Sequence, residues 1–227
     1  MGTPDHDTLR RTVLLGAFAL PAPLALSQLS IHRVGASEIQ GKDSRHSDNH
    51  LGRSKIGVVG IGCGGGNAVN QMVSSSMDHL EYLFLDRDLD SLRNSFAHDT
   101  ILLDERLFCS FLAPMLANSD AVFIVAGMGG ETGSRIAPLV AGFARQRGAS
   151  TIGVVTRPFH FEGKYRRRLA EAGINRLRQA TDQMLILDNQ SIVARCSPQT
   201  TLKEAYQLVG KWMAHVVACS VDYVCSI

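Results

Sequence analysis

The fold of this chain is indicated most clearly by one glycine-rich stretch, Ala126-Gly-Met-Gly-Gly-Glu-Thr-Gly-Ser134. An apolar run, residues 121–126, precedes it, and a helical pattern, residues 136–147, follows it. Glycine lets the backbone take positive φ angles and approach a ligand closely, and the start of a helix presents free N–H groups to an anion. The stretch therefore predicts a phosphate-binding loop between a buried strand and a helix.

A second glycine cluster, residues 60–68, lies upstream of the first. Its pattern Gly60-x-Gly62-x-x-Gly65 also matches the dinucleotide-binding fingerprint, and Asp86 ends the next strand, where that fold places its ribose-binding acid. A dinucleotide needs only one phosphate loop, whereas a triphosphate held from two sides needs both. The pair of clusters therefore favours a nucleoside triphosphate, and an NAD-binding Rossmann domain of an oxidoreductase stays as the alternative.

Apolar strands alternate with helical patterns from Lys55 onward, which predicts an α/β fold, a Rossmann-like parallel sheet with helices on both faces. We expect strands at 56–59, 81–85, 100–103, 121–126, 151–155 and 184–187. We expect helices at 67–73, 107–118, 136–147 and 164–180, then a long helix opened by a capping box, Thr201 to Glu204. Ligands of such sheets bind at the carboxyl ends of the strands, where both glycine clusters fall.

Residues 1–52 differ in composition from the rest of the chain. Arg10 and Arg11 precede an uncharged run, residues 12–26, which is shorter than the about 20 residues that a membrane-spanning helix needs. The segment is typical of a weak targeting signal, a disordered extension or a mis-assigned start. We therefore expect an N-terminal extension over 1–52 and a nucleotide-binding domain over 53–227, in a cytoplasmic protein unless the extension directs it to an organelle or to export.

Composition excludes several other classes of protein. The net charge of +2 is too small to indicate a nucleic-acid-binding or membrane-surface protein by bulk charge, and we expect no transmembrane span. The five cysteines and eight histidines show no metal-ligand spacing, so no metal site is predicted. With 45% apolar residues, the chain has enough apolar side chains for one globular core.

These motifs resemble the nucleotide-binding domain of the tubulin/FtsZ family, and FtsZ-like proteins in particular, over residues 55–224. The resemblance is carried by Gly64-Gly-Gly-Asn-Ala68, by Gly127-Met-Gly-Gly130 followed by Thr132-Gly-Ser134, and by Val154-Val-Thr-Arg-Pro-Phe159 with Phe161-Glu-Gly163. The last motif is the most specific, because no general rule of phosphate binding predicts it.

The resemblance implies a GTP-binding cell-division protein whose cofactor is GTP or GDP, with Mg²⁺ as an optional companion of the nucleotide. It also implies self-association or association with full-length FtsZ. Glu162 and Arg166 would reach the ribose and phosphate region, Asn189 would bind the guanine edge, and Tyr206 would stack on the base. The remaining implied binding residues belong to the two loops: Gly62, Gly64, Gly65, Gly66, Asn67, Gly127, Met128, Gly129, Gly130, Thr132 and Gly133.

The sequence departs from the family pattern at several positions. Glu131 and Arg135 stand where the family has glycine, and a carboxylate there should repel a triphosphate unless Arg135 pairs with it. Gly210 stands where the family reads guanine with Asp or Asn, so the choice between guanine and adenine should weaken. The stretch between Leu103 and Asp120 is shorter than in the family.

The chain stops at Ile227, inside or just after the long helix, and the resemblance implies that a second domain and a catalytic acidic loop would follow. We therefore assign no catalytic residue and expect nucleotide binding with weak or deficient GTP hydrolysis by the chain alone. Such a chain would regulate or cap FtsZ filaments. A non-functional remnant of a division gene is the remaining interpretation.

Overall fold

The computed structural model describes residues 30–33, 55–75, 77, 80–103, 112–113, 116, 119–193 and 195–225. The strands are β1 (Ser30–Arg33), β2 (Ile56–Ile61), β3 (Glu81–Asp86), β4 (Asp99–Leu102), β5 (Ala121–Gly127), β6 (Ser150–Arg157) and β7 (Gln183–Asp188). The helices are α1 (Gly62–Ser74), α2 (Leu89–Arg93), α3 (Glu131–Gln146), α4 (Lys164–Ala180), α5 (Gln190–Val193) and α6 (Leu202–Cys225), with a 3-10 turn at His160–Glu162.

The strands form one sheet in the order β1-β7-β6-β5-β2-β3-β4. Strands β2 to β7 pair in parallel, and β1 pairs with β7 in the antiparallel direction. The predicted fold class, a Rossmann-like parallel sheet with helices on both faces, is confirmed. The strand β1 was not predicted, since it lies within the expected extension over 1–52; the extension as a separate segment stays a prediction.

All six predicted strands are present, each within two residues of its expected bounds. Two helices begin earlier than predicted, because the glycine clusters themselves form their first turns: α1 begins at Gly62 and α3 at Glu131. Glycine has a low intrinsic helix propensity, so the pattern alone placed these starts too late. The helix expected over 107–118 falls mostly outside the described residues.

The capping box at the start of α6 is confirmed. The Thr201 N–H donates to Glu204 Oε2 at 2.7 Å, and the Glu204 N–H donates to Thr201 Oγ1 at 3.3 Å. Among the described residues, no helix is long and apolar enough to cross a bilayer.

The sheet separates two apolar cores. Side chains of β2 alternate between them, since Ile56 and Val58 face one core and Val59 and Ile61 face the other. Helices α1 and α6 cover the first core, and α3 and α4 cover the second. This arrangement leaves the carboxyl edge of the central strands free of helices except at the helix starts.

Helix α1 lies so close to the sheet that its glycines have no room for a side chain. A Cβ atom added to Gly65 would lie 2.4 Å from the Val125 carbonyl oxygen and 2.9 Å from the Gly60 carbonyl carbon. A Cβ added to Gly66 would lie 2.4 Å from the Phe84 ring. The close contact of α1 with β5 therefore requires glycine at position 65, and its contact with the Phe84 ring of β3 favours glycine at position 66.

We expect Gly65→Ala to lower the free energy of unfolding by roughly 1–3 kcal/mol, because the added methyl group overlaps backbone atoms that cannot move aside. The matched control is Gly142→Ala in α3, where an added Cβ meets no atom within 4 Å. That substitution should stabilise the protein by roughly 0.5–1 kcal/mol, since alanine is the better helix former. Urea unfolding measures both; equal midpoints for the two variants would contradict the packing at Gly65.

Candidate functional site

The two glycine clusters meet at the carboxyl edge of the sheet. Strands β2 and β5 are neighbours, and Ile61, the last residue of β2, pairs in register with Ala126, one residue before the end of β5. A Cβ added to Gly64 would lie 3.0 Å from both the Cα and the N of Gly127, so the two loops are in backbone contact. The two loops therefore lie together, as a shared binding site would require, and their binding of one ligand stays a prediction.

Each loop leads into a helix whose first N–H groups have no side-chain cap. The N-cap residue of α1 is Ile61 and that of α3 is Gly130, and neither position makes a side-chain capping bond. Uncapped first turns present free N–H groups and the positive end of the helix dipole. Next to Gly130 the space is open, since an added Cβ would meet no atom within 4 Å. Two such helix starts side by side can bind an anion with several charges.

The second loop is fixed by its own hydrogen bonds. The Gly129 N–H donates to Oγ of Ser134 at 2.9 Å, and Ser134 is fully buried. The Met128 N–H donates to the Thr156 carbonyl at 3.0 Å. Gly129 has φ +99, which glycine adopts without strain. The predicted binding residues Met128 and Gly129 therefore lie in a loop that is held by hydrogen bonds. Ser134, which was not predicted to bind the nucleotide, positions this loop.

The loops also touch through Gly62 and Thr132. Gly62 has φ +67, and a Cβ added there would lie 3.4 Å from the Gly133 nitrogen and from the Thr132 Cβ. A Cβ added to Gly133 would lie 2.4 Å from the Gly127 carbonyl oxygen. These contacts place Gly62, Thr132 and Gly133 at the junction of the two loops, and their predicted role in nucleotide binding stays a prediction.

Glu131 is held at the start of α3 by two partners. Its Oε2 lies 3.5 Å from Arg135 Nη1, and its Oε1 accepts a hydrogen bond from the Tyr165 hydroxyl at 3.4 Å. The expected pairing of Arg135 with Glu131 is thus present. About half of each side chain is exposed, at 53% for Glu131 and 54% for Arg135, so water screens the pair. The ion pair is therefore weak, and the carboxylate remains a source of negative potential at the edge of the anion site.

Glu162 is bonded on both of its oxygens. Its Oε1 accepts the Phe159 N–H at 2.7 Å, and its Oε2 lies 2.7 Å from Arg166 Nη1. Its side chain is only 9% exposed, whereas that of Arg166 is 54% exposed. The hydrogen bond from Glu162 raises the pKa of Arg166 above its ordinary value. Glu162 therefore positions Arg166, whose half-exposed guanidinium has further N–H groups that can donate to an incoming oxygen.

Tyr206 lies between the first glycine loop and Glu162. Its ring meets Phe159 edge-on with centroids 5.4 Å apart, and Phe161 stacks on Phe159 with centroids 4.9 Å apart. Burial, followed by a hydrogen bond to Glu162, raises the pKa of Tyr206 to about 12, so its hydroxyl keeps its proton at neutral pH. The aromatic contacts hold the ring in one orientation, which suits it for stacking.

Asn189 follows β7 at the same edge of the sheet and is only 4% exposed. Its N–H donates to the Arg157 carbonyl at 3.2 Å, but its side-chain Oδ1 is buried and accepts no hydrogen bond from the described residues. A buried polar atom without a partner costs about 1–3 kcal/mol. An N–H group of a bound ligand would remove that cost, which fits the role that the resemblance gave to Asn189.

Gly210 allows α6 to approach the first loop. A Cβ added to Gly210 would lie 3.3 Å from the Cβ, carbonyl carbon and carbonyl oxygen of Asn67. The space that a longer polar side chain would need is therefore taken up by α1. Asn67 itself is exposed at this edge, where it was predicted to bind.

Cys63 is a residue that the sequence analysis did not select. It is exposed between Gly62 and Gly64, and its pKa is raised by partial burial and then by the charges of Asp86 and Asp88. Asp86 is itself 5% exposed, and burial raises its pKa. The position of a cysteine inside a glycine loop was the signal that could have identified it. Within the described ranges, no group of three metal-ligating side chains is found.

The chain is similar to known proteins of one family. Residues 111–197 match the family model described as the Tubulin/FtsZ family, GTPase domain. The cell division protein FtsZ of Bartonella bacilliformis is 35% identical over 189 residues, which cover 75% of this chain and 32% of the relative. FtsZ 2 of Rhizobium meliloti is 32% identical over 191 residues, which cover 76% of this chain and 55% of the relative. The chain thus spans between about a third and about half of these relatives.

Solved structures point the same way. An FtsZ dimer of M. jannaschii, described as empty, matches with a TM-score of 0.69 and 29% identity; the match covers 73% of this chain and 54% of the FtsZ chain. A GTPgS-bound protofilament of CetZ2 from Haloferax volcanii matches with a TM-score of 0.65 and 18% identity; the match covers 74% of this chain and 59% of the CetZ2 chain. The second likeness concerns the fold alone. The NAD-binding alternative is not favoured by these comparisons.

Proposed function

This chain belongs to the tubulin/FtsZ family, and on that premise we propose that it is a GTP-binding cell-division protein that binds a guanine nucleotide at the two glycine loops. The observation that supports the proposal most strongly is the backbone contact between Gly64 and Gly127, which brings two uncapped helix starts to one point. Phosphate oxygens would accept hydrogen bonds from the N–H groups of both loops. Mg²⁺ would enter with the nucleotide, bound by its phosphate oxygens.

The described side chains suit the remaining parts of a nucleotide. Tyr206 offers a held ring face to the base, and Asn189 offers an unpartnered buried oxygen to a base N–H. Arg166 offers guanidinium N–H groups to the ribose and phosphates. Because Gly210 carries no carboxylate to pair with guanine, we propose a preference for guanine over adenine that is smaller than tenfold, about one hydrogen bond in free energy.

The test is calorimetric titration of the chain with GTP, GDP, ATP and NAD. We expect GTP and GDP to bind, ATP to bind more weakly, and NAD not to bind. Asn189→Ala should weaken GTP binding roughly tenfold, because one buried hydrogen bond to the base is lost. The matched control is Asn175→Ala on the exposed side of α4, which should leave GTP affinity unchanged.

Thiol labelling gives a second readout, since Cys63 is exposed inside the first loop. Bound GTP should slow the reaction of Cys63 with a maleimide, and Cys63→Ser identifies its share of the labelling. Binding of NAD without GTP would instead support a dinucleotide-binding oxidoreductase. A folded chain with no affinity for any of the four nucleotides would identify a non-functional remnant.

We also propose that GTP hydrolysis by this chain is slow, because Glu131 adds negative charge beside the site where charge must be neutralised during phosphoryl transfer. Glu131→Gly should tighten GTP binding roughly fivefold and raise the rate of phosphate release, since about 1 kcal/mol of repulsion between exposed charges is removed. Glu131→Gln, which removes the charge and keeps the length, should do the same.

The control is Glu81→Gln, at the opposite end of the strands, where Glu81 pairs with Lys55 at 3.2 Å. It removes the same charge far from the loops and should change neither GTP affinity nor phosphate release. Equal or weaker GTP binding in Glu131→Gly would show that the carboxylate does not oppose the triphosphate.

A third proposal concerns assembly: the chain associates with full-length FtsZ through its nucleotide edge and limits filament growth. The solved relatives include an FtsZ dimer, which supports an assembling partner of the same family. Adding the chain to assembling FtsZ below equimolar ratio should shorten the filaments seen by electron microscopy. The variant Asn189→Ala should shorten them less at the same dose if nucleotide binding is needed, and unchanged filament lengths with the wild-type chain would refute this role.

A further inference from the structure

The outward sides of helices α3 and α4 form a surface with an unusual charge. The two helices contain eight lysine and arginine residues and two glutamates. The whole chain, by contrast, has 23 basic and 21 acidic side chains, a net charge of only +2. The positive charge of the molecule is therefore concentrated on one side of the sheet, and the bulk charge conceals it.

Both glutamates of this surface are already paired with cations. Glu131 lies 3.5 Å from Arg135, and Glu171 lies 2.7 Å from Arg157. In contrast, several other cations have no carboxylate within 4 Å among the described residues: Lys164, Arg167, Arg168, Arg176 and Arg178. Four of these five are exposed, and Arg178 is half-buried. The surface therefore carries excess positive charge that no described side chain neutralises.

Large apolar side chains lie among these cations. Leu139 on α3 is 58% exposed, and Tyr165 on α4 is 72% exposed. The two helices are joined on this side, since the Tyr165 hydroxyl donates to Glu131 and Arg145 Nη1 donates to the Gln179 carbonyl at 3.3 Å. Arg145 itself is paired, since its Nε lies 3.9 Å from Asp182 Oδ1. We call the surface made by Leu139, Lys164, Tyr165, Arg168 and Arg176 the basic face.

We propose that the basic face binds the surface of an anionic lipid bilayer. Lipid headgroups supply phosphate oxygens for the guanidinium and ammonium groups, and the acyl boundary just below accepts Leu139 and the ring of Tyr165. A protein face that combines free cations with exposed aromatic and aliphatic side chains is complementary to that layered chemistry. The match of both charge and apolar groups favours a bilayer over a purely acidic partner.

The shape of the surface agrees with this choice. The basic face is the outer side of two adjacent helices, whereas the described cavity of about 430 Å³ lies beside α6 on the other side of the sheet, lined by Ser197, Glu204 and Lys211 among others. A peptide would gain most from a groove, and an extended lipid surface can contact two helices at once. The second glycine loop leads into α3, so the membrane would contact the side of a helix whose start lies at the proposed nucleotide site.

The experiment is co-sedimentation of the full chain with vesicles of phosphatidylcholine alone and of phosphatidylcholine mixed with phosphatidylglycerol. We expect binding to the mixed vesicles only, and release at high NaCl because salt screens the exposed cations. The double variant Arg168→Ala and Arg176→Ala should weaken binding roughly 25-fold, about fivefold for each cation lost near the surface. Leu139→Ser should also weaken binding, with the charge unchanged.

The matched control is the double variant Lys203→Ala and Lys211→Ala on α6, which removes the same charge from exposed positions on the opposite side of the sheet. It should bind the mixed vesicles as the wild type does. Circular dichroism of both double variants checks that they are folded. The proposal is overturned if the two double variants lose binding equally, if neutral vesicles bind as well as anionic ones, or if the wild-type chain binds polyglutamate or duplex DNA but no vesicles.

Discussion

Everything in this site depends on a steric constraint: two backbones touch where no Cβ atom can fit. Gly64 and Gly127 are in contact, Gly65 lies against the Val125 carbonyl, and Gly133 lies against that of Gly127. Because these positions lack side chains, the starts of α1 and α3 come together instead of being held apart by the width of two side chains. The same closeness stabilises the packing of α1 on β5 and creates a concentrated group of free N–H donors, so folding and ligand binding share one requirement.

The sequence was sufficient for the architecture because alternating apolar strands and helices have few ways to fold. Six strands, α4 and the capping box of Thr201 and Glu204 were all predicted close to their observed bounds. The starts of α1 and α3 were predicted late, since helix propensity argues against glycine and tertiary packing overrode it. Strand β1 was not predicted at all, because four residues that complete a sheet edge carry no periodic signal of their own.

The site was predictable in its residues and much less so in their contacts. Glycine clusters indicate where a phosphate can bind, and the family resemblance indicated that Asn189 and Tyr206 bind the base. Neither could reveal that the Asn189 oxygen is buried without a partner, or that Phe159 holds the Tyr206 ring edge-on. Those facts depend on distances between residues far apart in the chain. The concentration of cations on α3 and α4 could not be predicted from the net charge either, because the net charge does not say where in the fold the charged residues lie.

The close contact between Gly210 and Asn67 couples movement of the first glycine loop to movement of helix α6. No side chain of residue 210 separates the two backbones there, so a displacement of the first loop passes directly to α6 as a movement of its axis. The 16 residues from Gly210 to Cys225 span about 22 Å, at a rise of about 1.5 Å from each residue to the next. A tilt of about 5° at Gly210 would therefore move the far end of α6 by about 2 Å, a displacement large enough to change what packs there. Small motions at the loop would thus be amplified by the length of the helix.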